Sequence, residues 1–313
     1  MSFRLRSEVL SGMAVAGGSR GAVLDLARRI EATGFDSLWV GDHVAFHVPF
    51  LDPLALLAFI AAATEHIRLG TCVYLLPLRH PTLTAKHTTT VDVLCDGRFS
   101  LGVGVGGEFP PEFDAVGVPV HERGGRADES IELLRKLWSG EAVEHRGRYF
   151  QLGPVTLAPQ PVQPGGPPIL VGGRKAPAMR RAGKLGDGYI SHMCSPDRYR
   201  DNLSVIAKHA DDAGRGDRDF ETWTFIFTLL DDDYDAALDR AAGFLENLYR
   251  VPFRDAARRY CLLGRPEDCL EQMQRFVDAG SRGFIFSPLM DPSEMAEKLA
   301  ASVLPELRNL VVA

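Results

Sequence analysis

Eight times along the chain a short β-rich run gives way to a segment of helical period, and this alternation limits the possible folds more than any other feature. The runs are "EVLSGMAVAG" (8–17), "DSLWVG" (36–41), "IRLGTCVYLL" (67–76), "RFSLGVGVG" (98–106), "PPILVGG" (167–173), "GDGYISHM" (186–193), "ETWTFIFTLL" (221–230) and "SRGFIFSPL" (281–289). Helices are predicted at 20–33, from Asp52-Pro53 onward, at 80–94, over "ERGGRADESIELLRKLW" and "RKAPAMRRAGKLG", and at 196–213, 232–247 and 292–309. Eight such units in 313 residues favour an α/β fold of the closed (β/α)8 TIM barrel type over an open doubly wound sheet. Two connections break the rhythm after strand 4, at 106–121 and 140–168, and long connections in a compact domain are usually functional. No repeat or linker divides the chain, so residues 1–313 read as a single domain.

Charge and cysteine usage exclude several classes of partner. A formal net charge of -6 removes the attraction to phosphate backbones that non-specific nucleic-acid binding needs. No apolar run approaches the roughly 18 residues of a membrane span. The five cysteines, Cys72, Cys95, Cys194, Cys261 and Cys269, are scattered and never spaced as CxxC, which argues against a disulfide framework or zinc ribbon and fits a reducing cytoplasm.

Barrel chemistry sits at the carboxyl ends of strands, so polar residues directly behind a strand carry the most weight. Asp42 and His43 follow "SLWV". His43 can give or take a proton near neutral pH, with Asp42 orienting it or holding a cofactor; equally, the two can be an ordinary turn. His43 and His47 have metal-ligand spacing on a helix, but Pro49 disfavours a helix there and no glutamate lies between them, so no metal is expected.

"GVGVGG" (102–107) matches a dinucleotide fingerprint, yet Pro110 and Pro111 follow and cannot donate the amides that such a site aims at a pyrophosphate. Its glycines, Gly106 and Gly107 included, better serve the close approach of a flat ring or of backbone. "ILVGGRKAPAMRRAG" is the stronger anion site: a strand, Gly172 and Gly173, then a helix start with Arg174 and Lys175 in its first turn. The alternative there is a tight turn carrying solvated basic residues.

The order "GFDSLWVGDH", "IRLGTCVYLLPLRHP", "LCDGRFSLGVGVGGEF", "RGGRADESIELLRKLWSG", "PPILVGG" and "GDGY" resembles the luciferase-like monooxygenase superfamily nearly end to end. Within it, "GDH" and "GVGVGGEF" look like the deazaflavin branch that uses coenzyme F420, with FMN-using monooxygenases the close alternative. The resemblance implies that Asp42 contacts the deazaflavin and His43 lies by the reacting centre. It places a non-proline cis peptide at Cys72-Val73, propping the ring, and a tail-phosphate turn at Gly172 and Gly173 beside Lys175 and Ala176. One departure is visible. Deazaflavin sugar-phosphate dehydrogenases carry a catalytic glutamate directly after GVGxG, whereas here Gly107 stands there and Glu108 one place later, which counts against a sugar phosphate.

The resulting expectation is an F420-dependent oxidoreductase passing hydride to or from a small organic substrate, with His43 and, second, Glu108 as catalytic groups. The alternatives are an FMN-dependent monooxygenase and a flavin-binding protein without turnover. The resemblance also implies a homodimer, for which the helix after Pro53, "LALLAFIAAA", offers physical support because an apolar surface must be covered.

Overall fold

The computed structural model describes residues 3–15 and 17–312. Eight parallel strands form the barrel: β1 (Leu10–Val15), β2 (Ser37–Val40), β3 (Arg68–Thr71), β4 (Phe99–Gly104), β5 (Ile169–Gly172), β6 (Gly188–His192), β7 (Glu221–Leu230) and β8 (Gly283–Pro288). Each pairs with the next, and β8 returns to β1, with Met13 opposite Phe286, so the ring closes. Helices cover the outside, which is why β2, β4 and β5 are buried along their whole length and read as continuous apolar runs.

Helix starts follow local chemistry. In α2 (Pro53–Ala61), Asp52 accepts from the Leu54 and Ala55 amides at 3.1 Å and Pro53 occupies the first turn. Ser195 and Asp291 cap α7 (Pro196–Asp212) and α11 (Pro292–Ser302) in the same way, each followed by proline. The remaining barrel helices are α1 (Arg20–Ala32), α3 (Pro81–Leu94), α5 (Arg123–Leu137) and α6 (Ala176–Leu185). A short α4 (Pro110–Ala115) follows β4.

The barrel interior holds two tryptophans packed with Leu170, Ile190 and Ile285. Trp39 of β2 and Trp223 of β7 meet edge to face with ring centroids 5.1 Å apart. They fit because the positions they face are glycine. A Cβ at Gly70 would lie 2.4 Å from the Trp39 ring, one at Gly283 2.3 Å from the Trp223 ring, and one at Gly12 2.6 Å from Trp39 Nε1. Towards the amino ends, Glu221 accepts from Arg68 at 2.9 Å, from Arg6 at 3.2 Å and from Trp223 Nε1 at 2.9 Å. That polar plug closes the bottom, leaving the carboxyl ends as the mouth.

Three features depart from the sequence reading. The run 67–76 is not one strand: it breaks after Thr71 and resumes only at Tyr74–Leu75. The 140–168 connection contains an antiparallel hairpin, Val143–Arg146 with Gln151–Val155, tied to α5 by Glu129, which accepts from the amides of Tyr149 and Phe150. The third departure is larger. After β7 come α8 (Tyr234–Tyr249), α9 (Arg254–Tyr260), a short strand Leu262–Gly264 beside β7, and α10 (Pro266–Asp278). The sequence reading made 232–247 the outer helix of the seventh unit and passed over α10. Yet α10 has the helical stripe, with Cys269, Met273, Phe276 and Val277 buried. It packs in the main core, whereas α8 and α9 build a separate cluster with Phe227, Leu229, Leu263 and Leu289. A second insertion therefore stands beyond the carboxyl half of β7.

Removing the filler of the layer should be costly. Trp39→Ala is expected to lose about 3–5 kcal/mol in urea unfolding, because facing glycines offer no side chain to close the cavity. A loss below about 1 kcal/mol would show that the layer can collapse.

Candidate active site

β2 ends at Val40 and delivers two polar residues to the mouth in different ways. Asp42 turns inward and is 4% exposed. Its carboxylate accepts from the Leu75 amide at 2.8 Å and from both terminal nitrogens of Arg79, one of them at 2.8 Å. Burial pushes the Asp42 carboxyl up, and the Arg79 guanidinium and the Leu75 amide pull against it. Arg79 in turn covers the Tyr74 ring at 4.4 Å. Asp42 thus does not orient His43; it ties the end of β2 to the chain that follows β3.

The partner of His43 is Glu112, a residue that the sequence reading did not single out. Glu112 is 1% exposed, and its Oε2 lies 3.2 Å from His43 Nδ1 and 3.3 Å from the donating Val44 amide. A carboxylate accepts, which makes Nδ1 the donor of this bond, and Nε2 has no partner among the described residues. Phe46 stacks on the imidazole at 4.0 Å and Phe50 meets it edge-on at 4.9 Å, fixing the ring plane. The signal was present in the sequence: "PPEF" opens α4, which puts an acid in its first turn. Its neighbour could not be known.

Between the two pieces of the third strand, the Cys72–Val73 peptide is cis. The glycines around it have steric reasons. A Cβ at Gly102 would lie 1.9 Å from the Thr71 carbonyl oxygen, and Cβ atoms at Gly104 and Gly172 would lie 2.3 Å and 2.7 Å from the Val73 side chain. Val73 therefore rests on bare backbone of β4 and β5, forming a smooth shelf at the mouth. Gly106 and Gly107 both have left-handed φ values, 59° and 105°, and a Cβ at Gly107 would meet Arg123. α4 begins at Pro110, so no dinucleotide-type amide cradle forms there.

Beyond β5, Gly173 has φ 149° and packs against Ala178. Its carbonyl accepts from the Tyr189 hydroxyl at 2.9 Å, which Asn202 holds in turn at 3.1 Å. α6 starts at Ala176 with no side chain capping its first amides. Arg174 and Lys175 therefore precede the helix and do not lie in its first turn as expected; Lys175 occupies the cap position with an extended backbone. Arg174 bridges to Glu108 at 3.7 Å, and Glu108, well exposed, approaches Arg174 and not His43.

Strands β2 and β6 stand four apart in the eight-strand ring, so His192, at the end of β6, faces the mouth from the side opposite His43. Phe225 and Phe227 of β7 flank its ring at 5.3 Å and 5.7 Å. Burial, and secondarily the charge of Arg174, push the His192 imidazole down to about 4. None of this cluster was read from the sequence.

The sequence profile of the luciferase-like monooxygenases matches residues 5–305. The chain belongs to that family. An F420-dependent glucose-6-phosphate dehydrogenase from Kineococcus radiotolerans is 30% identical, over 92% of this chain and 93% of the relative. Among solved structures, an F420-dependent secondary alcohol dehydrogenase in complex with an F420-acetone adduct superposes with a TM-score of 0.84 at 22% identity, covering 96% of this chain and 99% of that one. The oxygenating constituent of a diketocamphane monooxygenase from Pseudomonas putida, in complex with FMN, gives 0.78 at 20% identity, covering 95% and 98%. These likenesses confirm the family's barrel and leave the choice of cofactor to the site.

Two outcomes are expected from this geometry. Glu112→Gln keeps an acceptor for Nδ1 but removes the charge, and should lower turnover about tenfold while cofactor affinity stays within twofold; unchanged turnover would make Glu112 a scaffold residue only. For His192, the unfolded chain binds a proton between its ordinary value of 6.5 and the folded value of about 4, where the folded protein does not. Stability must then rise with pH through that window and be lost on acidification. Melting temperature should fall from pH 6.5 to 5, and His192→Phe should flatten that fall.

Proposed function

We propose that this chain is an F420-dependent oxidoreductase that passes a hydride between the deazaflavin and a small organic substrate. The observation that carries the reading is the His43–Glu112 pair behind β2, which leaves His43 Nε2 without a partner among the described residues, near the smooth Val73 shelf. The residues fit the cofactor. A flat ring can lie along Val73 between Gly104 and Gly172, and an acidic tail can reach the uncapped amides of α6 with Arg174 and Lys175 beside them. When bound, F420 supplies hydride chemistry at C5 of the deazaflavin. His43 Nε2 takes or returns the substrate proton, and Glu112 holds it in the tautomer that can do so. Asp42 and Arg79 keep the Cys72–Val73 segment in place from behind. Glu108 acts at the rim through Arg174.

The name of the 30% identical relative supports F420, and the FMN-bound neighbour keeps a flavin monooxygenase as the second reading. Fluorescence titration decides between them: F420 is expected to bind at least about tenfold tighter than FMN, a difference of about 1.4 kcal/mol, and the reverse preference would sink the proposal. F420 binding should weaken with salt, since its tail meets cations. His43→Ala should reduce kcat by about 100-fold or more with little change in cofactor affinity, whereas Asp42→Ala should mainly weaken binding.

A cytoplasmic homodimer belongs to the same reading. All five cysteines are free, which suits a reducing compartment, and no described helix is long and apolar enough to cross a membrane. Support for the dimer from α2 is narrower than its sequence suggested, because Leu54, Leu56, Leu57 and Ile60 are buried within this chain. Ala55, Ala58 and Phe59 of α2 retain exposed surface, and Leu83 of the adjoining α3 is 59% exposed. Sedimentation at micromolar concentration is expected to give twice the 34.3 kDa chain mass.

A further inference from the structure

The two halves of the mouth differ in chemistry. On the β3–β5 side lie the Val73 shelf and the basic turn after β5. At the ends of β6 and β7, and from the insertion after β7, the groups are His192 and a set of aromatic rings. Phe225 and Phe227 meet edge to face at 5.2 Å, and Tyr249, the last residue of α8, meets Phe227 edge-on at 6.4 Å and stacks on Phe253 at 5.2 Å. Tyr249 joins the ring cluster at the end of β6, since Phe227 also meets His192; its phenol feels the charges of Glu108, Arg174, Cys261 and Cys72, and its hydroxyl bonds to none of the described residues. Burial, before those charges, raises that phenol to about 12, so it keeps its proton and can donate it in a hydrogen bond.

The residues named on this wall carry no cation of their own. His192 is held neutral near pH 7 by burial, and Arg174, the cation felt by both His192 and Tyr249, follows β5 and is the group assigned above to the cofactor's acidic tail, with Glu108 3.7 Å away. A phosphate set against Phe225, Phe227 and a neutral imidazole would lose its hydration without a compensating charge. A carboxylate at the rim, Glu108, would repel it further. The rings themselves offer edges and faces to another ring.

We infer that the substrate is an uncharged, aryl-bearing alcohol or the matching ketone, its ring packed on Phe225 and Phe227 and its oxygen held between the Tyr249 hydroxyl and His43. The inference rests on the hydride-transfer reading above and narrows it. In oxidation the carbinol C–H leaves as hydride to the cofactor and the hydroxyl proton goes to His43, giving the ketone; reduction reverses both transfers. The polar points match a single oxygen, and the apolar remainder matches the wall. The dehydrogenase relatives that are named for glucose 6-phosphate act on a charged sugar, so this chain would share their fold and differ in its substrate wall.

The test uses 1-phenylethanol and acetophenone as probes and glucose 6-phosphate as comparator. Saturation-transfer NMR on the cofactor-free protein reads binding directly, and F420 absorbance reads turnover. The aryl probes are expected to bind at least about tenfold tighter than glucose 6-phosphate. Phe225→Ala should weaken them about tenfold, and Tyr249→Phe should raise KM about tenfold, with F420 affinity within twofold in both. Phe225→Leu, which keeps an apolar side chain but no ring, serves if Phe225→Ala does not fold, and should show a smaller loss in the same direction. Saturable binding of glucose 6-phosphate in preference to the aryl probes would overturn the inference. So would aryl binding equal in the wild type and the wall variants, or absent altogether. Failure of F420 to bind would sink the cofactor reading alone, because probe binding is measured without it.

Discussion

Closure of the strand ring around Trp39 and Trp223 is the constraint on which the rest depends. Two indole rings packed with Leu170, Ile190 and Ile285 leave no room for a Cβ at Gly12, Gly70 or Gly283. Below that layer, Arg68 and Glu221 close the amino ends. Residues at the carboxyl ends are then held by packing below them, so the loops that follow can be irregular without blurring the site.

Above that layer the chain departs from regular structure in a coordinated way. The cis bond between Cys72 and Val73 breaks the third strand, and three glycines on the next two strands accept what it presents, the Thr71 carbonyl and the Val73 side chain. Asp42 and Arg79 lock the same segment from the other side. His43 stands next to this frame but belongs to a different one, built by Glu112, Phe46 and Phe50. The Val73 shelf and the His43 ring are thus held by different side chains. A change to one need not move the other, which is useful in a family whose members share a barrel and differ in chemistry.

The insertion after β7 shows how a missed element changes a functional reading. Taking 232–247 as an ordinary outer helix left its last residue, Tyr249, without significance. In the structure α10 fills the outer position, and α8 with α9 forms its own core over Phe227 and Leu289. That frees α8 to bring an aromatic residue to the ring cluster at the end of β6. The stripe of α10 was legible in "CLEQMQRFV"; the error lay in counting one helix per strand, which the barrel does not require.

Local sequence determined a good deal about this protein. Strand runs, prolines behind caps, the alternation that implies a barrel, the residues His43 and Asp42 behind β2 and the Gly172–Gly173 turn are all encoded within a few neighbouring positions, where propensity and steric rules act directly, whereas the cis bond at Cys72–Val73 was implied by the family resemblance alone. What tertiary structure alone decided is who meets whom. Asp42 looked like the partner of the histidine next to it in sequence, yet it bonds to Arg79, 37 positions on, while His43 bonds to Glu112, 69 positions on. Glu108, the second catalytic candidate, lies 3.7 Å from Arg174, 66 positions on. His192, Phe225 and Tyr249 carry no shared motif and come together only because strands six and seven are neighbours and α8 ends above them. Pairing between side chains depends on the distance between strand ends in a closed ring, a quantity fixed by the packing of the whole barrel and written in no short stretch of the chain.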